Sequence, residues 1–266
     1  MATIHPTAIV HPKAELADDV QVGAYAVIGP NVQIDSGTIV EAHVIIEENT
    51  YIGKNNHISY GAVLGAPPQD RKYKHERTFL RIGDHNLIRE YVTIHRASGE
   101  GEATIIGDNN FLMAYVHIGH NCRVGSGVVM ANSVGISGHC LIDDGANIGG
   151  MTGVHQFTRI GRLAMVGGMS RIVRDVPPFM LVEGNPAKVY GINLVGLRRA
   201  GIPEEVRTAL KTACRWMFYA NLNLTQAIER IRTELPMSPE LEYLLQFMEE
   251  TRLGRNGRFL DRPSRK

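Results

Sequence analysis

The chain has 266 residues, 44% of them hydrophobic and 21% charged, with a formal net charge of +1. That balance suits a folded globular protein and gives no overall electrostatic pull toward nucleic acid or an anionic membrane. No run of apolar residues is long enough for a membrane span, and the N-terminus (MATIHPTAIVHPKAELADDV) lacks the basic and apolar regions of a secretory leader.

From the N-terminus onward the dominant signal is a six-residue repeat. Ile4, Val10, Leu16, Val22, Ile28 and Ile34 open a series of aliphatic positions that runs to Ile172. It is interrupted only at Asp70 and Glu76 and again at Glu100. Glycine often follows the aliphatic residue, as at Gly29, Gly53, Gly119 and Gly149, where it is expected to let the backbone turn. The fifth position of each hexad is small or β-branched: Ala8, Ala14, Val20, Ala26, Val32, Thr38 and Val44. A helix does not repeat at six. A prism of short strands does, with three hexads per coil and coils stacked at about 4.8 Å, and hexapeptide repeats are a signature of the parallel β-helix. The repeat alone leaves the handedness open.

Two breaks keep the phase of the repeat, so they read as loops pushed out of a continuous prism, at residues 70–81 and 96–105. Loops on a rigid scaffold often carry function. The prism is expected to end near Asp175-Val176-Pro177-Pro178, with a turn at Gly184-Asn185-Pro186, giving a prism domain over 1–190 and an α-helical domain over 191–266. Pro203-Glu204-Glu205 opens one helix, with Leu210, Cys214, Met217 and Phe218 as its apolar stripe. Thr225 is expected to cap a second helix, and Ser238-Pro239-Glu240-Leu241 to open a third. The basic tail (Arg252, Arg255, Arg258, Arg262, Arg265, Lys266) is expected to fray. The helices are suited to cover the open strand edge at the end of the prism.

Coil arithmetic also gathers the candidate chemistry. The hexads beginning at 118, 136 and 154 stack in successive coils and carry His120, His139 and His155, while His117 closes the hexad before. Four imidazoles on one wall suit two chemistries, metal binding and general base catalysis. Cys122 and Cys140 also stack, but at the small inward position, so they read as core residues. With Cys214 they make three cysteines, which leaves at least one unpaired and points to a reducing compartment, the cytoplasm.

Several stretches together resemble the UDP-N-acetylglucosamine O-acyltransferase family. They are residues 117–125 (HIGHNCRVG), 149–157 (GGMTGVHQF), 175–178 (DVPP), 193–199 (NLVGLRR), 93–96 (TIHR) and 69–73 (QDRKY). The resemblance spans essentially the whole chain, and it implies a left-handed prism and a homotrimer with sites between prisms. It also implies transfer of an (R)-3-hydroxyacyl group from acyl carrier protein to the 3-hydroxyl of UDP-N-acetylglucosamine, the first step of lipid A biosynthesis. His120 matches the general base and the Gly138 N–H the oxyanion donor. Gln69, Asp70, Lys72, His95, His117 and His139 match residues that hold the sugar or the acyl chain. His155, Gln156, Asn193 and Arg199 match nucleotide contacts. Gly168 matches the floor of the acyl tunnel, where glycine leaves room for a long chain.

Two positions depart from the family pattern. Asn121 stands where the family often has aspartate beside the base, and Ala200 stands where a second arginine often follows Arg199. Arg198, Lys211, Arg215 and the arginine tail form the expected basic face for an acidic carrier protein. No cofactor, structural metal or nucleic-acid partner is expected. The competing readings are a zinc-dependent hydratase of the carbonic anhydrase type on the same fold and a non-catalytic scaffold. A related glucosamine N-acyltransferase would need a nucleotide domain ahead of the prism, and here the hexads begin at Ile4.

Overall fold

Each hexad supplies one short strand to one of three flat faces. Thr3–Ile4 pairs in parallel with Gln21–Val22, so one circuit of the chain takes eighteen residues. The computed structural model describes residues 1–261, and in it the faces are sheets of 11, 9 and 8 strands. The first face begins at Thr3–Ile4, the second at Ile9–Val10 and the third at Glu15–Leu16. The pairings between coils are parallel and in register except for a shift after Leu64, where Ala66 pairs with His95, and among the described residues the one antiparallel strand pair is a hairpin at the end of the prism.

The inward aliphatic residues fill the prism. Ile28, Ile46, Ile58, Leu64, Ile88, Ile94, Leu112 and Ile118 are all buried. Each such side chain contributes roughly 1.5–3 kcal/mol by leaving water. The small fifth-position residues Val20, Ala26, Val32 and Val44 fill the corners and are likewise buried. The glycines after the aliphatic residues act differently from the expectation. The left-handed backbone lies further on, at residues such as Asn31, Asn55, Asn121 and Met151. Gly119 and Gly149 are instead needed for close stacking of coils. A Cβ at Gly119 would lie 2.8 Å from the Gly138 nitrogen, and one at Gly149 2.4 Å from the Gly168 nitrogen.

Both excursions leave from the second face and keep the phase. Ile82 pairs with Ile52 on one side and Ile106 on the other. Both excursions end three residues earlier than the hydropathy pattern suggests, and the first also begins three residues earlier. Phe79–Ile82 and Ala103–Ile106 are already strands, because Leu80 and Thr104 are buried and bring the chain back to the third face before the next aliphatic position. The two loops therefore cover residues 67–78 and 96–102. They are tied to each other: Arg96 Nε donates to the Tyr73 hydroxyl (3.3 Å) and the Gly101 N–H donates to the Arg77 carbonyl (2.9 Å).

At the far end, Met180–Gly184 and Ala187–Ile192 form the hairpin around the expected turn at residues 184–186, and it extends the first face. Among the described residues four helices follow: α1 (Leu194–Arg199), α2 (Glu204–Phe218), α3 (Leu224–Glu234) and α4 (Pro239–Leu253). The cap of α3 is Asn223 rather than Thr225. The Asn223 side chain accepts from the Gln226 N–H, and the Gln226 side chain accepts from the Asn223 N–H. That reciprocal pair satisfies two donors at once, which Thr225 could not match because Ile228 stands three residues on where the motif needs Glu or Gln.

Arg159, buried in the last coil, fastens α4 to the prism. It binds Asp175 at 2.9 Å and Glu250 at 2.6 Å, and its guanidinium lies 4.0 Å from the centre of the Phe247 ring. The tail is not frayed through residue 261, because buried Arg258 donates to the Val173 carbonyl (2.9 Å). Arg262, Arg265 and Lys266 lie outside the described residues.

Candidate active site

The second face carries one outward residue per coil. Thr93, His117, Gly135, Gly153 and Arg171 follow one another in strict register. Because Gly135 and Gly153 have no side chain, and a Cβ on either would meet nothing within 4 Å, the wall is hollowed between His117 and Arg171. The hollow is a cleft of about 580 Å³ lined by, among others, Gln69, His95, His117, His120, Gly138, His155 and Gln156. A smaller cleft of about 290 Å³ lies around the corner, lined by Asn121, Arg123, His139 and Phe157 among others.

His120 and His139 stand at the corner between the second and third faces. Their rings meet edge to face at 5.1 Å, and His139 stacks on Phe157 at 4.9 Å. His139 therefore faces the smaller cleft and supports His120 from the side. Coil arithmetic alone puts both on one wall; the two differ in hexad position, and that difference turns His139 past the corner.

The tautomer of His120 follows from its neighbours. The Asn121 side chain is held at both ends by Ser98: the Ser98 N–H donates to Oδ1 and Asn121 Nδ2 donates to the Ser98 carbonyl, both at 2.9 Å. Oδ1 must then face the His120 ring, and Nδ1–H of His120 donates to it at 2.8 Å. That leaves Nε2 as a free lone pair aimed into the cleft. It lies directly over Gly138, since a Cβ there would sit 2.6 Å from Nε2. The Gly138 N–H has no hydrogen-bond partner among the described residues, and Gly138 lines the same cleft.

Burial lowers the pKa of three neighbouring imidazoles, His117, His95 and His139. His117 meets Thr93 Oγ1 at 2.8 Å and His95 edge to face at 5.2 Å. Burial, reinforced by the nearby His95 and His120, pushes the His117 pKa down. His95 donates Nδ1–H to the Pro67 carbonyl at 2.6 Å, and burial outweighs that bond to lower its pKa too. His139 is lowered chiefly by burial. Asp70 is held below the usual carboxylate range, first by the Lys72 N–H at 2.9 Å and in part by the nearby His120 and His139. Lys72 is exposed on the same loop.

Of the expected site residues, Asn121 and His139 line the smaller cleft, Asp70 and Lys72 line neither, and three more lie at other edges of the chain. Gly168 is exposed at the opposite edge of the second face, beside Gly150. Asn193 lies at the corner across the prism, between the third and first faces. Its Nδ2 donates to the Leu163 carbonyl, and its Oδ1 caps α1 by accepting from the Gly196 N–H. Arg199 is exposed in the last turn of α1. Sequence motifs group residues by family role, whereas one prism spreads them over separate edges. Thr93, Ser98 and Arg171, to which the sequence reading assigns no role, do join the constellation; of these, Thr93 lies inside the 93–96 motif and Arg171 follows from the eighteen-residue spacing.

Comparison with known proteins agrees with this architecture. Residues 175–256 match the family described as UDP-N-acetylglucosamine O-acyltransferase, domain 2, and residues 103–138 match bacterial transferase hexapeptide repeats. An acyl-[acyl-carrier-protein]–UDP-N-acetylglucosamine O-acyltransferase from Paraburkholderia phymatum is 47% identical over 259 residues, covering 96% of this chain and 99% of its own. Among solved structures, a UDP-N-acetylglucosamine acyltransferase from Bacteroides fragilis superposes with a TM-score of 0.91 at 38% identity, covering 93% of this chain and 97% of the other. The enzyme of that name from Moraxella catarrhalis gives 0.87 at 44% identity, with 91% and 95% covered. The prism is accordingly the left-handed parallel β-helix that the hexapeptide family implies.

Proposed function

The chain belongs to the UDP-N-acetylglucosamine O-acyltransferase family, and on that premise we propose that it moves an (R)-3-hydroxyacyl group from acyl carrier protein to the 3-hydroxyl of UDP-N-acetylglucosamine. This is the opening step of lipid A synthesis. The observation that carries the reading is the pairing of a free His120 Nε2 with the unbonded Gly138 N–H beneath it.

The chemistry follows from that pairing. His120 Nε2 takes the proton of the sugar hydroxyl as its oxygen attacks the thioester carbonyl carbon. The carbonyl oxygen becomes an oxyanion facing the Gly138 N–H, a donor that needs no reorganisation. The C–S bond then breaks, the ester stays on the sugar, and the proton passes from His120 to the departing thiolate. Neutral His117 and His95, with Gln69, Asp70 and Lys72, offer hydrogen bonds to the sugar and the acyl 3-hydroxyl, while His139 braces the base. His155 and Gln156 lie further along the cleft, where the nucleotide belongs in this reading.

A homotrimer completes the site. Asn193, Arg199 and Gly168 cannot reach the cleft of their own chain, so they serve the site formed with a neighbouring prism. Arg199 supplies a guanidinium for the diphosphate, and Gly168 leaves the acyl channel open about 14 Å along the axis from the His117 coil. Exposed Arg198, Lys211 and Arg215 present the basic face toward acyl carrier protein. The three cysteines are free and buried, in keeping with a reducing cytoplasm. Among the described residues, no helix is long and apolar enough to cross a membrane.

The test is incubation with UDP-N-acetylglucosamine and 3-hydroxyacyl carrier-protein thioesters of graded length, with the product read by mass. The expected result is a mono-acylated sugar nucleotide formed fastest from the longer donors. Absence of that product would overturn the assignment, and a preference for the shortest donors would overturn only the role of Gly168.

A further inference from the structure

Asn121 is an amide where a carboxylate would stabilise an imidazolium better, yet a carboxylate is present two amide units away. Asn121 Nδ2 donates to the Ser98 carbonyl. That carbonyl belongs to the same peptide unit as the Gly99 N–H, which donates to Glu76 Oε1 at 2.9 Å. The four groups form one unbroken series. The His120 Nδ1–H donates to the Asn121 amide, the Asn121 amide to the 98–99 peptide, and that peptide to the Glu76 carboxylate. Every bond in the series runs the same way, each donor pointing toward Glu76. In such a series each hydrogen bond polarises the next, so a charge at one end makes the far acceptor stronger.

Glu76 is itself firmly held. Its Oε2 accepts from the Lys74 N–H at 2.7 Å, and its carbonyl accepts from the Tyr73 hydroxyl at 3.1 Å. Its own N–H, with those of Gly99 and Lys74, keeps its carboxyl below the usual range. The series draws on both excursions. The first loop carries Glu76, the second carries the 98–99 peptide, and Asn121 lies on the coil after both.

We infer that Glu76 is a positioning residue for His120, acting as its remote carboxylate through the 98–99 peptide and the Asn121 amide. The inference rests on the reading of His120 as the general base. No proton moves along the series. Glu76 strengthens Asn121 Oδ1 as an acceptor, which keeps Nδ1 protonated, Nε2 free, and the ring over Gly138. Aspartate at position 121 would bring the charge closer but could not donate to the Ser98 carbonyl, so the amide is the residue that fits this loop.

The experiment is a double-mutant cycle on kcat and on KM for both substrates, with melting temperature as the check on folding. Glu76→Ala is expected to lower kcat about tenfold while leaving both KM values within about twofold. Glu76→Gln keeps an acceptor for Gly99 without the charge and is expected to fall between Glu76→Ala and wild type. In an Asn121→Ala background, where the series is already cut, Glu76→Ala should have no further effect. A full-sized effect of Glu76→Ala in that background would overturn the inference, as would an effect on KM alone or none at all. His120→Ala, run alongside, separates the two layers. If it stays fully active, the base assignment itself falls. If it is inactive while the Glu76 and Asn121 effects simply add, only the remote carboxylate falls.

Discussion

The second face of the prism runs through two chemistries on one backbone. In the early coils its outward position is Ile9, Val27, Ile45 and Val63; in the later coils it is Thr93, His117, Gly135, Gly153 and Arg171. The inward position beside it stays aliphatic throughout, from Val10 to Ile172. Packing dictates the inward column, because each coil must fill the same triangular interior. The outward column meets no such demand, so chemistry can change along it without disturbing the fold.

That contrast can be broken first at the core. Ile118→Ala, inward beside His117, should cost about 2–5 kcal/mol in urea unfolding. Val27→Ala, outward in an early coil, should change stability by less than about 0.5 kcal/mol. Equal costs would mean that the two columns are not distinct. Gly138→Ala comes next. Its new methyl would press on His120 Nε2, so kcat should fall about 10²-fold with unfolding little changed. Full activity would show that the ring has room elsewhere. Gly153→Val projects into open space in the cleft. It should raise KM about fivefold without destabilising the chain, the effect of roughly 1 kcal/mol of lost binding.

The smallest effect is on pH. His95, His117 and His139 titrate below their ordinary value of 6.5 because burial disfavours the charged rings. Between those depressed values and 6.5 the unfolded chain binds more protons than the folded one, so stability falls as pH drops through 6.5 and levels off below the folded values. Melting temperature should therefore decline on going from about pH 8 to about pH 5.5, and less steeply in His117→Gln. An identical slope in the variant would remove His117 from the account.

The same contrast explains what could be read from residues alone. The inward period made the prism legible from Ile4 to Ile172, and the return of its phase at Ile82 and Ile106 exposed the two loops. The loop ends are hard to read from the sequence because Leu80 and Thr104 occupy the small inward position, a weaker signal than the aliphatic one. His120, His139 and His155 were legible as a cluster, but not the corner that turns His139 aside. Asn223 and Thr225 are both good caps on paper, and only the reciprocal bond with Gln226 decides between them. The hold of Ser98 on Asn121 is a contact between a loop backbone and a coil side chain, and no residue pattern records it. Asn193 and Arg199 carried a motif, but a motif does not say that one chain keeps them across the prism from His120.

The account comes down to whether the outward wall works while the inward wall folds, and His120 is where that divides most cleanly. In His120→Ala, transfer from the carrier thioester to UDP-N-acetylglucosamine should drop by about 10²–10⁴-fold while the melting temperature stays near that of the parent chain. Wild-type turnover in that variant would contradict the account.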